Sequence, residues 1–211
     1  MRTPGRILLS ACALLVLSGV PLSAQRRPQL DVSVPSAATS GISMVTASGL
    51  FGEPDMRDLV RSGFPARLRF RLELWRVGGL LNDLEGQHEW DLIVQYDPSA
   101  QRYRVVRRQG GRVDDLGSFA TLSTAQSMLE RPLRVTLLPR RPGARYYYNL
   151  ALDIEALSVS DMDQLERWLR GVRGGTAASA VGTGVRTLML RMLGGEKRHY
   201  EKRSSTFAAE R

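Results

Sequence analysis

The chain has 211 residues, room for one domain with additions and too few for two full domains. With 43% hydrophobic and 24% charged residues it can build a packed core, which excludes global disorder. The formal charge of +9 is carried almost wholly by arginine, because Lys197 and Lys202 are the only lysines. Such a bias fits a GC-rich coding sequence as well as a use of guanidinium chemistry.

Arg2 and Arg6 precede an apolar run from Ile7 to Val20, which ends in Pro21-Leu22-Ser23-Ala24. A positive start, a short apolar centre and a small closing residue make the pattern of a secretory signal peptide. Residues 1–24 are therefore expected to be a leader cut after Ala24, and the mature protein to be periplasmic or extracellular. The run is shorter than the roughly 20 apolar residues of a spanning helix. Leu9-Ser10-Ala11-Cys12 matches a lipoprotein box in letters, but the apolar run continues past Cys12. Cys12 is the only cysteine, so a mature chain would have no disulfide, thiolate metal site or cysteine nucleophile.

Residues 25–40 are rich in Gln, Pro, Ser and Ala and read as a flexible lead-in to a β-rich domain over 41–158. Ile42–Phe51 offers a first strand. Pro54–Arg61 has helical spacing, with Met56, Leu59 and Val60 on one face and Pro54 at a favourable first position. From Phe64 to Val77 strict alternation sets Leu68, Phe70, Leu72 and Leu74 against Arg67, Arg69, Arg71 and Glu73, which is a half-buried strand. His88–Tyr96 alternates likewise, with His88, Trp90, Leu92, Val94 and Tyr96 on one face. Pro98–Gln101 forms a turn that predicts Tyr96 opposite Tyr103 and Val94 opposite Val105.

Gly110-Gly111 turns the chain into a short strand over Leu116–Ala120. Ser123 and Gln126 have capping-box spacing before the short helix TAQSMLE, which Pro132 stops. Leu133–Leu138 follows as a strand and Arg140–Gly143 as a tight turn. Tyr146–Leu157 is a long strand with Tyr146, Tyr148, Leu150, Leu152 and Ile154 facing one way. Residues 159–195 read as a helical extension: Ser160, Asp161 and Asp163 suit a helix start, and Val185–Leu193 is a second helical run. The basic polar tail, 196–211, either adds an edge strand or stays loose.

Leu59-Val60-Arg61-Ser62-Gly63-Phe64-Pro65, Glu73-Leu74-Trp75-Arg76, Val94-Gln95-Tyr96-Asp97 and Tyr103-Arg104-Val105, in this order, resemble an uncharacterised family of secreted bacterial proteins, domain of unknown function 4390. A weaker likeness extends to Ser118-Phe119-Ala120-Thr121-Leu122 and Tyr146-Tyr147. It covers about residues 40 to 160, and none of its motifs has a catalytic meaning. The resemblance implies envelope location and a β fold. Its members often sit beside sensor-kinase genes, which implies a link to signalling.

The two histidines, His88 and His199, lie far apart and lack ligand spacing, and no nucleophile-elbow motif accompanies them. No motif calls for a metal or cofactor. Asp114-Asp115 beside two glycines fits a solvated turn, with cation binding as the alternative. The row Arg67, Arg69 and Arg71 is the best candidate ligand-binding surface, for phosphate, anionic polysaccharide or an acidic partner. Pairing with Glu73, Glu89 and Asp91 is the competing reading. Val185, Leu188, Met189 and Met192, with Val181, form an apolar stripe flanked by arginines. The stripe suits packing on the protein's own sheet, an envelope protein partner, or peripheral contact with a membrane interface. Nucleic acid is not expected, since no recognition motif accompanies the charge.

Together these features predict an antiparallel β-sandwich-like domain with short helices and a C-terminal helical extension. The expected function is an exported, non-enzymatic envelope protein, an interaction or sensory accessory module. The alternative is a binding module for an anionic envelope component at the arginine row, and a carboxylate-based hydrolase is the third reading.

Overall fold

The computed structural model describes residues 27–34, 42–157 and 197–209. Among these residues ten strands and two helices follow in the order β1 (Gln29–Val32), β2 (Ile42–Ser48), α1 (Pro54–Arg61), β3 (Ala66–Arg76), β4 (Asp83–Asp97), β5 (Arg102–Gln109), β6 (Arg112–Phe119), α2 (Leu122–Leu129), β7 (Leu133–Thr136), β8 (Arg145–Ala156), β9 (Arg198–Arg203) and β10 (Phe207–Ala208). The fold is mainly β, and every strand pairing among the described residues is antiparallel.

β3 is the central element. It pairs along its whole length with β4 on one side and β8 on the other. β5 and β6 extend the sheet beyond β4, while β9 and β10 share the far edge of β8. β1, β2 and β7 make a second sheet of three strands. The alternation of β3 explains the layering. Leu68, Phe70, Leu72 and Leu74 are buried in one core with Leu92 and Val94 of β4, Tyr146 to Ile154 on alternate positions of β8, and Val45, Ala47 and Val135 of the small sheet. The opposite face of the large sheet carries the charged row and a small cluster of Ile93, Val106 and Leu157.

The turn after β4 sets the register. Tyr96 lies opposite Tyr103 with ring centroids 4.9 Å apart, and Val94 opposite Val105. Asp97 caps that turn by accepting from the amides of Ser99 and Ala100, the geometry expected of an Asx turn. Gly110 and Gly111 both have positive φ, 53° and 79°, which a two-residue hairpin between β5 and β6 requires.

Several boundaries differ from the sequence reading. β4 starts at Asp83 rather than His88, and a bulge at Leu74/Trp75 absorbs the extra length. β1 lies inside the segment expected to be a flexible lead-in. Leu30 and Val32 are buried against the core, and the edge of β2 supplies the hydrogen-bond partners. The capping box of α2 is formed by Thr121 and Thr124, not by Ser123 and Gln126. The Thr124 amide donates to Thr121 Oγ1 (3.2 Å) and the Thr121 amide to Thr124 Oγ1 (3.3 Å). This start turns Leu122, Ala125 and Leu129 into the core, whereas Gln126 bonds Glu130.

The helical extension expected over 159–195 lies outside the described residues. The chain after it ends in strand: β9 takes the free edge of β8, and Tyr200 Oη donates to Glu53 Oε1 (2.8 Å) at the start of α1. Arg198 also pairs with Glu53. Lysine and arginine along β9 suit an edge strand, because they oppose further strand addition.

Candidate functional site

Arg67, Arg69 and Arg71 do share the outer face of β3, but acids saturate them. Asp91 is the hub for Arg67 and Arg69, with a side chain only 7% exposed. It accepts from Arg67 Nη2 (2.8 Å), lies 3.5 Å from Arg69 Nε, and accepts from Arg108 Nε (3.0 Å) of β5. Arg67 also reaches Glu155 (3.3 Å), and Arg71 lies 2.9 Å from Glu73. Arg69 and Arg71 are half exposed, at 41% and 43% of the side chain. Glu89 faces Arg71 in register, and the acid Arg71 pairs with is Glu73. The row is a cross-strand charge ladder whose positive charge is largely used internally.

The other candidates separate. Asp114 pairs with Arg107 (2.7 Å) and Asp115 with Arg104 (3.0 Å) across the β5–β6 hairpin. Val185, Leu188, Met189 and Met192 lie outside the described residues, as does Cys12. Among the described residues no group of three His, Cys, Asp or Glu side chains could hold a metal ion. His88 sits on the core face beside Trp90, where burial lowers its pKa, and its Nε2 lies 2.8 Å from the Gln109 amide nitrogen.

His199 lies on the opposite face, at the sheet edge. Its Nδ1 is 2.7 Å from Asp153 Oδ1 and its Nε2 is 2.9 Å from Glu201 Oε1. Both neighbours are acceptors, so the doubly protonated ring is the form that satisfies both contacts. The bonds to Asp153 and then Glu201 raise the histidine's pKa. Burial pushes Asp153 up, but hydrogen bonds from His199 and Lys197 hold it below the ordinary carboxylate range. The histidine stabilises β9 fully below its unfolded pKa of about 6.5, and that contribution is lost as pH rises through the higher folded value. The aspartate contributes above its unfolded pKa, and its share is lost as pH falls through the lowered folded one. His199 is about half exposed, so the effect is small. Melting temperature is expected to fall by about 1–2 °C more between about pH 6 and about pH 8 in the parent than in His199→Gln. Equal falls in the two proteins would refute the contact.

A different site emerges where the chain leaves the large sheet for the small one. α2 packs on β5 and β6, and Glu130–Pro132 then carries the chain into β7. This crossing leaves a cleft of about 180 Å³ between the two layers. Its floor is Phe70 and Trp90, cross-strand partners stacked with centroids 5.1 Å apart and planes 1° apart. Val45 and Ala47 of β2, Leu116 of β6, and Met128, Leu129 and Leu133 close the sides. The charged lining residues are Arg107 and Arg131. Arg107 projects onto the inner face opposite Leu92 and is held by Asp114. The Arg131 side chain is exposed and has no partner among the described residues. An apolar cavity of about 150 Å³ holds a benzene-sized molecule, so the cleft admits a short alkyl chain, with a guanidinium at its mouth for an anionic head.

Sequence periodicity placed Phe70, Trp90 and Leu92 on the core face but gave no sign of the cleft. Arg107 and Arg131 were missed. The one available signal was Arg107 itself, a charge at a core-facing position of a strand. No family model, no curated protein and no solved structure matches this chain.

Proposed function

We propose that the chain is an exported, non-enzymatic binding module of the bacterial envelope, in an interaction or sensory accessory role, whose ligand is a small amphiphile with an alkyl chain and an anionic head. The observation that carries this reading is the apolar cleft with the unpartnered Arg131 at its mouth. A sandwich-like pair of sheets, opened where the chain crosses from α2 into β7, is a suitable frame for such a site. Export is supported by the leader pattern of residues 1–24. The motifs resembling family 4390 fall on α1, β3, β4 and β5, which would make the resemblance one of scaffold. The arginine row on the outer face is the weaker alternative, because Asp91, Glu73 and Glu155 already take its charges.

Calorimetric titration with alkyl carboxylates of increasing length tests the reading. Affinity should rise about fourfold per methylene, the equivalent of about 0.8 kcal/mol, and level off once the cleft is full. Arg131→Glu should weaken every member of the series, and Ala47→Phe, which fills the cleft, should abolish binding. Affinity that climbs without a plateau and ignores both variants would mean non-specific adsorption and would end the proposal.

A further inference from the structure

The connection between β3 and β4 closes the large sheet in a tip that carries Leu80 and Leu81. Both side chains stand in water, 101% and 81% exposed. Single exposed leucines are common on protein surfaces, but these two are adjacent at an apex and the loop is built to hold them there. A Cβ on Gly78 would lie 1.9 Å from the Leu81 carbonyl oxygen, so the fold-back of the loop requires glycine. The Gly78 amide donates to Asn82 Oδ1 (3.3 Å), and Asn82 Nδ2 donates to Tyr147 Oη (3.2 Å), which ties the tip to β8. Leu84 at the start of β4 and Leu138 in the β7–β8 connection are exposed as well.

The β7–β8 connection brings basic residues to the same end. The Arg140 amide donates to Glu85 Oε2 (3.3 Å), and the Arg145 carbonyl accepts from the Val77 amide (2.8 Å) at the base of the tip. Arg140, Arg141 and Arg145 are exposed, and none of the three guanidinium groups has a partner among the described residues. The nearby acids Asp83 and Glu85 are both taken by Arg76. Leucines at an apex and uncompensated arginines around its base are arranged as at a membrane–water interface.

We infer that this end of the molecule docks on an anionic phospholipid surface, with Leu80 and Leu81 entering the headgroup–acyl boundary and Arg140, Arg141 and Arg145 meeting lipid phosphates. A protein partner fits less well. A stable protein interface buries roughly 1,200–2,000 Å², which a two-leucine apex cannot supply, whereas a bilayer accepts a protruding apex of any outline. The inference does not depend on the cleft, whose lining is drawn from other residues. It differs also from contact through Val185–Met192, and the experiment separates the two.

Flotation is measured on the chain beginning at Gln25, which retains every described residue, with vesicles of phosphatidylglycerol and phosphatidylcholine or of phosphatidylcholine alone. The parent should float with the anionic vesicles only. Leu80→Ser/Leu81→Ser should lower its partition at least tenfold without changing its melting temperature, since both side chains are exposed. Each of Arg140→Ser, Arg141→Ser and Arg145→Ser should cost about fivefold, the effect of one basic residue near an anionic surface. In Leu80→Trp, the added fluorescence relative to the parent should shift to the blue on vesicles and be quenched by brominated lipid. Absence of flotation by the parent would overturn the inference. So would flotation that survives the double leucine change but is lost in Leu188→Asp/Met192→Asp, and so would capture of a protein partner by the tip without any lipid binding.

Discussion

Replacing Asp91 by alanine is expected to destabilise the protein by about 3 kcal/mol, the low end of the range for removing one partner of a buried ion pair. The carboxylate is almost wholly inaccessible and sits on β4 between arginines of β3 and β5. Without it Arg67 and Arg69 of β3 face Arg108 of β5 across β4, and Glu155 remains beside Arg67 alone. Two of them are half exposed and can turn towards water, which limits the loss. Asp91→Asn should cost less, because the amide oxygen still accepts a hydrogen bond. Adding Arg67→Met to Asp91→Ala should recover part of the stability, as expected for residues in one network. Denaturant unfolding with an unchanged m-value reads these differences. A loss below about 0.5 kcal/mol, typical of open surface sites, would mean that the charge ladder is not formed.

The second large effect concerns the inner face of the same strand. Leu72 is completely buried, opposite His88 on β4 and Leu150 on β8. Leu72→Ala should cost about 2–5 kcal/mol, the transfer free energy of the lost methyl groups plus the cavity they leave. Leu81→Ala removes the same atoms from a side chain already in water and should change stability by less than about 0.5 kcal/mol. The pair of substitutions tests the facing of the sheet, since a reversed assignment would invert their order.

Much of the large sheet was legible because β3, β4 and β8 alternate over long stretches, and a period of two over eight or more residues has no helical counterpart. The Tyr96–Tyr103 register followed from turn length alone. β1 was hidden because four residues with two apolar positions, Leu30 and Val32, are too short to display a period. For β9 the sequence left two readings, edge strand or loose tail, because Arg198 and Lys202 occupy its core-side positions with Tyr200 between them and hydrophobicity does not alternate. Its place depends on the open edge of β8 and on Glu53, 147 residues away in sequence from Tyr200.

The site was less legible than the fold. The arginine row was visible as a row, and its acids were visible as cross-strand candidates, but Asp91 as a shared hub depends on β5 bringing Arg108 to the same carboxylate. The cleft draws on β2, β3, β4, β5, β6, α2 and β7. It exists because the chain changes sheets after α2, a choice that no local pattern records. The hairpin tip is the reverse case. Gly78-Gly79-Leu80-Leu81 lies between two alternating stretches of the sequence, and only the structure shows that its leucines remain in water.

The central claim, that the cleft between the sheets receives an alkyl chain, is tested most directly by intermolecular nuclear Overhauser effects between octanoate and methyl-labelled protein. Contacts from the alkyl protons to the methyl groups of Leu116, Met128, Leu129 and Leu133 are predicted, and Leu80 and Leu81 should show none. Absence of such contacts under saturating octanoate, or contacts confined to the hairpin tip, would contradict the account.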